Sequence, residues 1–363
     1  MRGKLLKYGD AILGRVVAHL LPSRNTGVNP AHVPVRRILV IRPGGIGDAV
    51  LLVPTLNEIQ RIYPQASIHL LVETRNAAVF DLVGGIEKVF SYDIPSQLLT
   101  VFRNQYELVI DTEQWHRLSA VVAWMTQAPI LIGFSTNDRK RLFTVPVPYS
   151  HDDYEIDSFL HLLRPLTKDM SWDGRLPFLT VRPDHSSRAA QILAPLASGK
   201  IVALFPGSSI LERQWGASRF QRTACLLSSI GCGIVVVGGQ TDQKAGESIT
   251  KGVPQSLNMC GQLSLPETAA VLHQCRLLIT GDSGVMHIGY GLGINIVALF
   301  GPGRQKKWAP RGPKVKAINR NFVCSPCTTF GYTPRCKQNA ACLQEITPEE
   351  VFQEAITLLG QQE

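Results

Sequence analysis

Asp48 closes a glycine-rich turn, Pro43-Gly44-Gly45-Ile46-Gly47-Asp48, that follows the apolar run Ile38–Ile41. A short strand, a tight turn and a helix through Leu51, Leu52, Leu56 and Ile59 is the opening layout of a nucleotide-binding unit. Many folds of this layout carry no charge at the end of that turn, so the Asp48 carboxylate is a candidate for chemistry. The competing reading is a helix cap, for which Asp is well suited. Three further turns fall in the second half: Pro206-Gly207-Ser208-Ser209, Gly238-Gly239 and Asp282-Ser283-Gly284. Glycines and small hydroxyls at helix starts leave backbone N–H groups pointing outward, where they hold anions. One such turn can be a tight connection and nothing more. Three at the carboxyl edge of one parallel sheet point to a phosphate-bearing ligand.

Four cysteines form a second chemical cluster, Cys324-x2-Cys327-x8-Cys336-x5-Cys342. Four thiolates in this arrangement suit a structural zinc or iron ion, zinc being preferred because it needs no redox machinery. Oxidisable surface thiols and reversible disulfides are the competing readings. Cys225, Cys232, Cys260 and Cys275 lie among apolar residues and read as small core side chains.

The elements that carry these groups alternate strand and helix. In the first half, strands are expected at Ile38–Ile41, Ser67–Val72, Lys88–Tyr92, Tyr106–Asp111 and Ile130–Phe134, with one long helix from about His151 to Leu166. The second series has strands at Ile201–Phe205, Gly233–Val237, Leu277–Thr280 and Asn295–Phe300, and a last helix with Thr347 as N-cap and Pro348 in its first position. The sheet-building pattern is thus stated twice. The expected fold is α/β, with two Rossmann-like doubly wound domains facing each other across a cleft. The segments expected are 1–35, a basic amphipathic N-terminal stretch; 36–175, the first domain; 176–200, a linker marked by Pro177, Pro183 and Pro195; 201–345, the second domain with the cysteine cluster; and 346–363, a C-terminal helix.

At 363 residues, 45% hydrophobic and 18% charged, the chain has room for two globular domains. A formal net charge of +9 favours an anionic partner: a nucleoside diphosphate, an acidic lipid surface or nucleic acid. With 7% aromatic residues and no basic run interleaved with aromatics, nucleic acid is the weakest of these. No apolar run approaches the ~20 residues of a membrane span. Arg15 and His19 interrupt the apolar part of the N-terminus, which argues against a signal peptide. Leu5, Leu6, Ile12, Leu13, Val16, Val17, Leu20 and Leu21 recur there at helical spacing. Both a helix resting on an anionic membrane face and a helix packed on the domain satisfy that pattern. A cytoplasmic protein with reduced cysteines is expected, in contact with the inner face of the membrane if the first of these holds.

The familiar nucleotide fingerprints are absent: there is no Gly-x4-Gly-Lys-[Ser/Thr] loop, and Gly45-Ile46-Gly47-Asp48-Ala49-Val50 lacks the third glycine of the dinucleotide motif. Ile41-Arg42-Pro43-Gly44-Gly45-Ile46-Gly47-Asp48 instead resembles the opening motif of the heptosyltransferases, inverting glycosyltransferases of the GT-B type. Gly281-Asp282-Ser283-Gly284-Val285-Met286-His287 is similar to that family's donor-site motif. Pro206-Gly207-Ser208-Ser209 with Arg213-Gln214-Trp215 and Phe220, and Leu299-Phe300-Gly301-Pro302 with Trp308-Ala309-Pro310, also resemble family segments in the same order. The resemblance runs from about Arg37 to the C-terminus. It departs at Arg213, where the family often has lysine; an arginine grips a diphosphate as a fork and not as a point charge.

The resemblance implies transfer of a heptose or related sugar from a nucleotide sugar, ADP-heptose, to a lipopolysaccharide core acceptor, with no catalytic metal. A single base that deprotonates the attacking hydroxyl inverts the anomeric centre, which is the role implied for Asp48, with Gly44, Gly45 and Gly47 on the acceptor side. Arg213 would stabilise the leaving diphosphate. Pro206, Gly207, Ser208, Ser209, Gly238, Gly239, Asp282, Ser283, Gly284 and His287 would line the donor site, with Asp282 against a sugar hydroxyl or backbone and not phosphate. His287 equally suits a core histidine. Arg42, Arg75, Arg103, Arg117, Arg139, Lys140 and Arg141 are candidates for acceptor phosphate or carboxylate. The cysteine cluster more loosely resembles the iron-binding motif of protein-directed, autotransporter heptosyltransferases, so a protein acceptor is one rival. A catalytically silent nucleotide-sugar-binding protein is another, and a dehydrogenase is disfavoured by its missing glycine.

Overall fold

The computed structural model describes residues 10–24, 33–167, 170–196, 199–329 and 332–360. The chain divides into two compact units, Met1–Asp173 and Gly174–Glu363. Each is built on a six-stranded parallel sheet. The first contains β1 (Arg37–Arg42), β2 (Ser67–Val72), β3 (Lys88–Ser91), β4 (Leu108–Asp111), β5 (Ile130–Phe134) and β6 (Val145–Val147), in the order β3-β2-β1-β4-β5-β6. The second contains β7 (Ile201–Phe205), β8 (Gly233–Val236), β9 (Ser256–Asn258), β10 (Leu277–Gly281), β11 (Asn295–Phe300) and β12 (Val315–Asn319), in the order β12-β11-β10-β7-β8-β9. Helices cover both faces, so the central strands are buried throughout: Ile38, Leu39, Val40 and Ile41 in β1, Leu277, Leu278 and Ile279 in β10. That is why they read as unbroken apolar runs and not as alternating ones.

Strand order locates the sites. In the first unit the chain steps from β1 out to β3, then returns to the other side of β1 and steps out again from β4 to β6. Loops leaving β1 and β4 therefore part in opposite directions and open a crevice at their carboxyl ends, where ligands bind in open α/β sheets. Ile41 pairs with Asp111 at that end. The second unit repeats the reversal between β7 and β10, whose Phe205 and Thr280 are paired.

Three strands escaped the sequence reading, and all are outer strands: β6 (Val-Pro-Val), β9 (Ser-Leu-Asn) and β12. Short, partly polar edge strands, one of them holding a proline, lack the apolar run that marks a central strand. The helix expected from His151 to Leu166 covers only Glu155–His161 and dissolves into turns before Pro165, a residue that disfavours helix at the position ahead of it. Residues 176–200 hold a helix, Pro183–Leu193, that packs on the helix Leu265–His273. The last helix, Pro348–Gly360, packs on the helix Ala217–Ser229; Thr347 caps it, accepting the Glu350 N–H at 3.2 Å.

Near the N-terminus, a π-helical turn (Asp10–Gly14) runs into a helix, Arg15–Leu20. Leu5 and Leu6, and the side chain of Ile12, lie outside the described residues. Val17, Ala18 and Leu21 pack into the first unit's core with Val121, Val122 and Trp124. The opposite stripe remains outside: Leu13, Val16 and Leu20 are 64%, 52% and 79% exposed. The helix is therefore packed on the domain and still presents an apolar stripe. Buried Asp10 accepts the N–H groups of Arg117 and Leu118, each at 2.7 Å, and so caps the helix Leu118–Met125 from far away in the chain. Among the described residues, no helix is long and apolar enough to cross a membrane.

Candidate active site

At the first reversal, β1 delivers Arg42 and the turn. Gly44 has φ +110°, a left-handed conformation that a side chain would strain, and a Cβ there would stand 3.2 Å from an Arg42 Nη. Gly45 caps the short helix Ile46–Leu51. Asp48, in the third helical position, accepts the Gly45 N–H, so it has a capping role in addition to any chemical one. The residue is half-buried, within reach of a ligand. Burial pushes its carboxyl up to about 6; Arg42 opposes that shift, and Glu155 and Glu113 add to it.

Arg42 is not a surface contact for an acceptor anion. It is buried, donating from Nε to Pro43 O (2.6 Å), from Nη1 to Thr112 O (2.8 Å) and from Nη2 to Glu113 Oε2 (3.1 Å) and Gln114 Oε1 (3.4 Å), with its guanidinium carbon 5.6 Å from the Phe159 ring centre. Glu113 in turn accepts the N–H groups of Trp115 (3.0 Å) and His116 (3.2 Å). Burial alone would raise the Glu113 carboxyl, but Arg42, followed by His116 and Arg139, holds it below the usual range. Gln114 donates to Glu155 Oε1 at 2.6 Å, and the Tyr149 hydroxyl to Glu155 Oε2 at 3.2 Å. Other basic residues considered for the acceptor are also engaged. Arg139 is fully buried against Asp111, Arg117 pairs with Asp138 at 2.6 Å and Arg75 with Glu73 at 2.6 Å. Arg103 and Lys140 are exposed, and Arg141 is half-buried.

At the second reversal, β7 leads into Pro206-Gly207-Ser208-Ser209. Ser208 Oγ accepts the Ile210 N–H at 3.2 Å. The Gly238–Gly239 turn differs from expectation: the Gly239 N–H is not left open but donates to Asp242 at 2.8 Å. The same carboxylate stands 2.5 Å from where a Gly207 Cβ would be, so Asp242 lies against both turns and a side chain at 207 would displace it. Beyond β10, Ser283 caps the helix Gly284–Gly291, its Oγ accepting the Met286 N–H at 3.3 Å. Asp282, expected against a sugar hydroxyl or backbone, pairs instead with the Arg213 guanidinium at 3.0 Å. Gly303 presses on that pair: a Cβ there would lie 2.0 Å from the Asp282 carboxylate.

Among the described residues, two buried atoms here have no hydrogen-bond partner, Arg213 Nε and His287 Nδ1. His287 lies edge-on to Trp308, with ring centres 6.4 Å apart. Burial, followed by the Arg213 charge, pushes its pKa down to about 3, so the imidazole is neutral at ordinary pH. Orphaned buried polar atoms are costly, and Arg213 Nε, which can only donate, suits a ligand that accepts hydrogen bonds.

Cys324, Cys327, Cys336 and Cys342 line one cavity with Glu212 and Pro302. All four are free thiols, and burial followed by the neighbouring sulfurs raises the Cys327 and Cys342 thiols. Among the described residues, no three His, Cys, Asp or Glu side chains stand at a spacing that holds a metal ion. The cluster backs onto the loop that follows β11. Cys327 and Thr328 donate their N–H groups to Pro302 O, each at 3.1 Å, and Ser325 Oγ donates to Gly301 O. Cys232, Cys260 and Cys275 are buried, as expected of core side chains, while Cys225 is half-buried against the core.

Sequence reasoning missed Glu113, Gln114, Tyr149, Glu155 and Asp242. The acid Asp111 at the end of a central strand was the available signal, because the residues after it enter the crevice beside β1.

A half-buried carboxylate thus stands at one reversal, and a cation with an unpartnered N–H at the other. A family model described as Glycosyltransferase family 9 (heptosyltransferase) matches residues 98–336, and the chain belongs to that family. Lipooligosaccharide heptosyltransferase 2 of Haemophilus ducreyi is 23% identical, with 89% of this chain and 99% of the relative aligned. The solved structure of Escherichia coli ADP-heptose lipopolysaccharide heptosyltransferase II is 21% identical, with a TM-score of 0.74 over 90% of this chain and 99% of that one. The iron-containing dodecameric glycosyltransferase TibC from enterotoxigenic E. coli is 14% identical, with a TM-score of 0.58 over 90% of this chain and 76% of that one.

Proposed function

We propose that this glycosyltransferase moves a heptose from ADP-heptose onto a lipopolysaccharide core acceptor, inverting the anomeric centre. The observation that carries the reading is Asp48, a reachable carboxylate held by a rigid glycine turn with its affinity for a proton raised. In this reading the acceptor hydroxyl gives its proton to Asp48 as its oxygen attacks the anomeric carbon, and the bond to the diphosphate breaks on the opposite face. Charge growing on the leaving diphosphate is met by Arg213, by the N–H groups of Ser283 and Gly284, and by the hydroxyls of Ser208 or Ser209. Neutral His287 adds a ring nitrogen without adding charge. Arg213 supplies the cation, so the step calls for no catalytic metal. The relatives' names supply the donor and acceptor, and the site chemistry is compatible with both.

The donor is tested by thermal stabilisation with nucleotides. ADP and ADP-sugars at ~100 times their Kd should stabilise the fold by about 2.7 kcal/mol, with UDP, GDP and NAD silent. A melting shift with UDP but none with ADP would sink the assignment. Direct transfer from ADP-heptose to truncated core lipopolysaccharide, read by mass spectrometry, tests the acceptor; transfer to protein alone would favour the protein-directed reading.

Two finer features belong to the same proposal. The four cysteines gather on a structural zinc or iron ion; their shared cavity and Cys-x2-Cys spacing support this, and the four sulfurs would have to draw closer to ligate it. Metal analysis of protein purified without added metal should give about one ion per chain, and a ratio near zero removes the ion. The exposed stripe Leu13, Val16 and Leu20, flanked by Arg15, rests on the acidic face of the membrane that holds the acceptor, at the cytoplasmic side. Co-sedimentation with anionic vesicles should fall when Leu13 and Leu20 are changed to Ser; unchanged binding would rule out this contact.

A further inference from the structure

We propose that Arg42 and Glu113 form a dedicated positioning pair for the base: Glu113 takes the guanidinium's ion pair, so Asp48 receives the cation's field without being bound by it. The inference rests on the reading of Asp48 as base and adds two residues to the reaction.

The geometry argues for a division of labour. Arg42 lies directly beneath the turn, one Nη only 3.2 Å from the Cβ position of Gly44, and that same Cβ position lies 3.9 Å from Asp48 Oδ2. A guanidinium that faces the same turn as a carboxylate is placed to pair with it, which would lower the acid's pKa and occupy its lone pairs. Here the pair is made with Glu113 instead, at 3.1 Å, and the remaining bonds go to Pro43 O, Thr112 O and Gln114. Those partners sit at the ends of β1 and β4, so the planar fork is tied to both sides of the crevice and cannot swing towards Asp48. Glu113 is fixed equally well from its other oxygen by the Trp115 and His116 N–H groups. Asp48 retains the Gly45 N–H and is otherwise left for the acceptor.

The electrostatics agree. Arg42 pulls the Asp48 carboxyl down, while burial, Glu155 from its helix and Glu113 from the β4 loop push it up, and the balance lies at about 6. A carboxylate poised there is mostly ionised at neutral pH and still basic enough to accept a proton. The other ionisable groups of this network are Tyr149, hydrogen-bonded to Glu155, and His116 and Arg139, which act on Glu113. Arg42 and Glu113 are positioning residues, because neither is required to touch a substrate.

The test is the pH dependence of transfer from ADP-heptose by the full-length chain. In Glu113→Gln the guanidinium stays tied to Pro43 O, Thr112 O and Gln114 but loses its counter-charge, so its field on Asp48 is no longer offset. The acid limb of kcat should move down by about one pH unit, and the plateau kcat should fall at least tenfold with the donor KM unchanged. In Arg42→Lys, which keeps a cation but loses the planar fork, kcat should fall while the acid limb stays within about half a unit of the parent. In Arg42→Met the limb should move up by about one unit; if that variant does not fold, the Glu113→Gln and Arg42→Lys pair carries the test. A uniform loss of rate in Glu113→Gln with the acid limb unmoved would overturn the proposal and leave the pair a structural ion pair. Near-normal turnover of a folded Asp48→Asn would overturn the base assignment itself, a separate result.

Discussion

The two strand-order reversals are built from the same sheet geometry and finished in opposite ways. In the first unit the charged groups that act on Asp48 are each answered by protein: Arg42 by two carbonyls and Glu113, Glu113 by two N–H groups, Glu155 by Gln114 and Tyr149. In the second unit Arg213 Nε and His287 Nδ1 are left unanswered. A site that must take up one proton gains from a fixed set of charges that tunes one carboxylate. A site that must hold an anion gains from donors the protein does not itself satisfy. The difference separates preorganised chemistry from preorganised binding, and it can be broken residue by residue.

The largest effect is expected at Asp48. Asp48→Asn should lower kcat by ~10²–10⁴-fold with nucleotide affinity intact. The same variant should melt no lower than the parent at pH 7.5. The sign follows from linkage: the folded pKa, about 6, lies above the ordinary 3.8, so the stability tied to the protonated acid is present below pH 3.8 and lost as pH rises through 6. Removing the charge restores part of that loss, of order 1–2 kcal/mol for a half-buried group. A variant both inactive and markedly less stable would show that Asp48 serves mainly as a cap. For the parent, kcat should fall with a single-proton limb near pH 6. His287 should add no limb above pH 5, since its pKa is about 3.

Next comes Arg213→Ala, expected to cost ~10²–10³-fold in kcat and to weaken ADP binding measured by calorimetry. Unchanged ADP affinity would mean that the unanswered donors of the second unit serve something other than the nucleotide. A smaller effect is expected for Gly303→Ala. Its new methyl would meet the Asp282 carboxylate, shifting the Arg213–Asp282 pair, with a loss of about 1–3 kcal/mol of stability and roughly tenfold in donor affinity. Parent-like donor affinity there would show that the pair does not set the site.

What could be read from the chain was whatever lies contiguous in it. The Gly44–Asp48 turn and the Asp282–Ser283–Gly284 cap each declare themselves within a few residues, and alternating strands and helices announce the two sheets. The partners of Asp48 do not: Glu113 and Glu155 are ordinary acids far along the chain, brought in only because β4 lies beside β1 and the helix Glu155–His161 packs on Ile46–Leu51, the helix that carries Asp48. Arg42 was misjudged for the same reason, because a sequence does not say that an arginine is buried and already bonded. Asp242, which lies against two glycine turns, carries no local signature at all. The outer strands β6, β9 and β12 are too short and too polar to stand out from loops.

Asp10 has a practical consequence for anyone trimming this protein. Cutting away the first 32 residues to obtain a better-behaved or more readily crystallised version looks harmless, since the visible part of that segment is one short helix with an apolar outer stripe. The cut would also strip the carboxylate from the N–H groups of Arg117 and Leu118, 107 and 108 residues away, at the end of the loop that carries Glu113. A shortened enzyme that is soluble but slow would then record damage to the loop that carries Glu113, and its kinetics would be a poor guide to the intact chain.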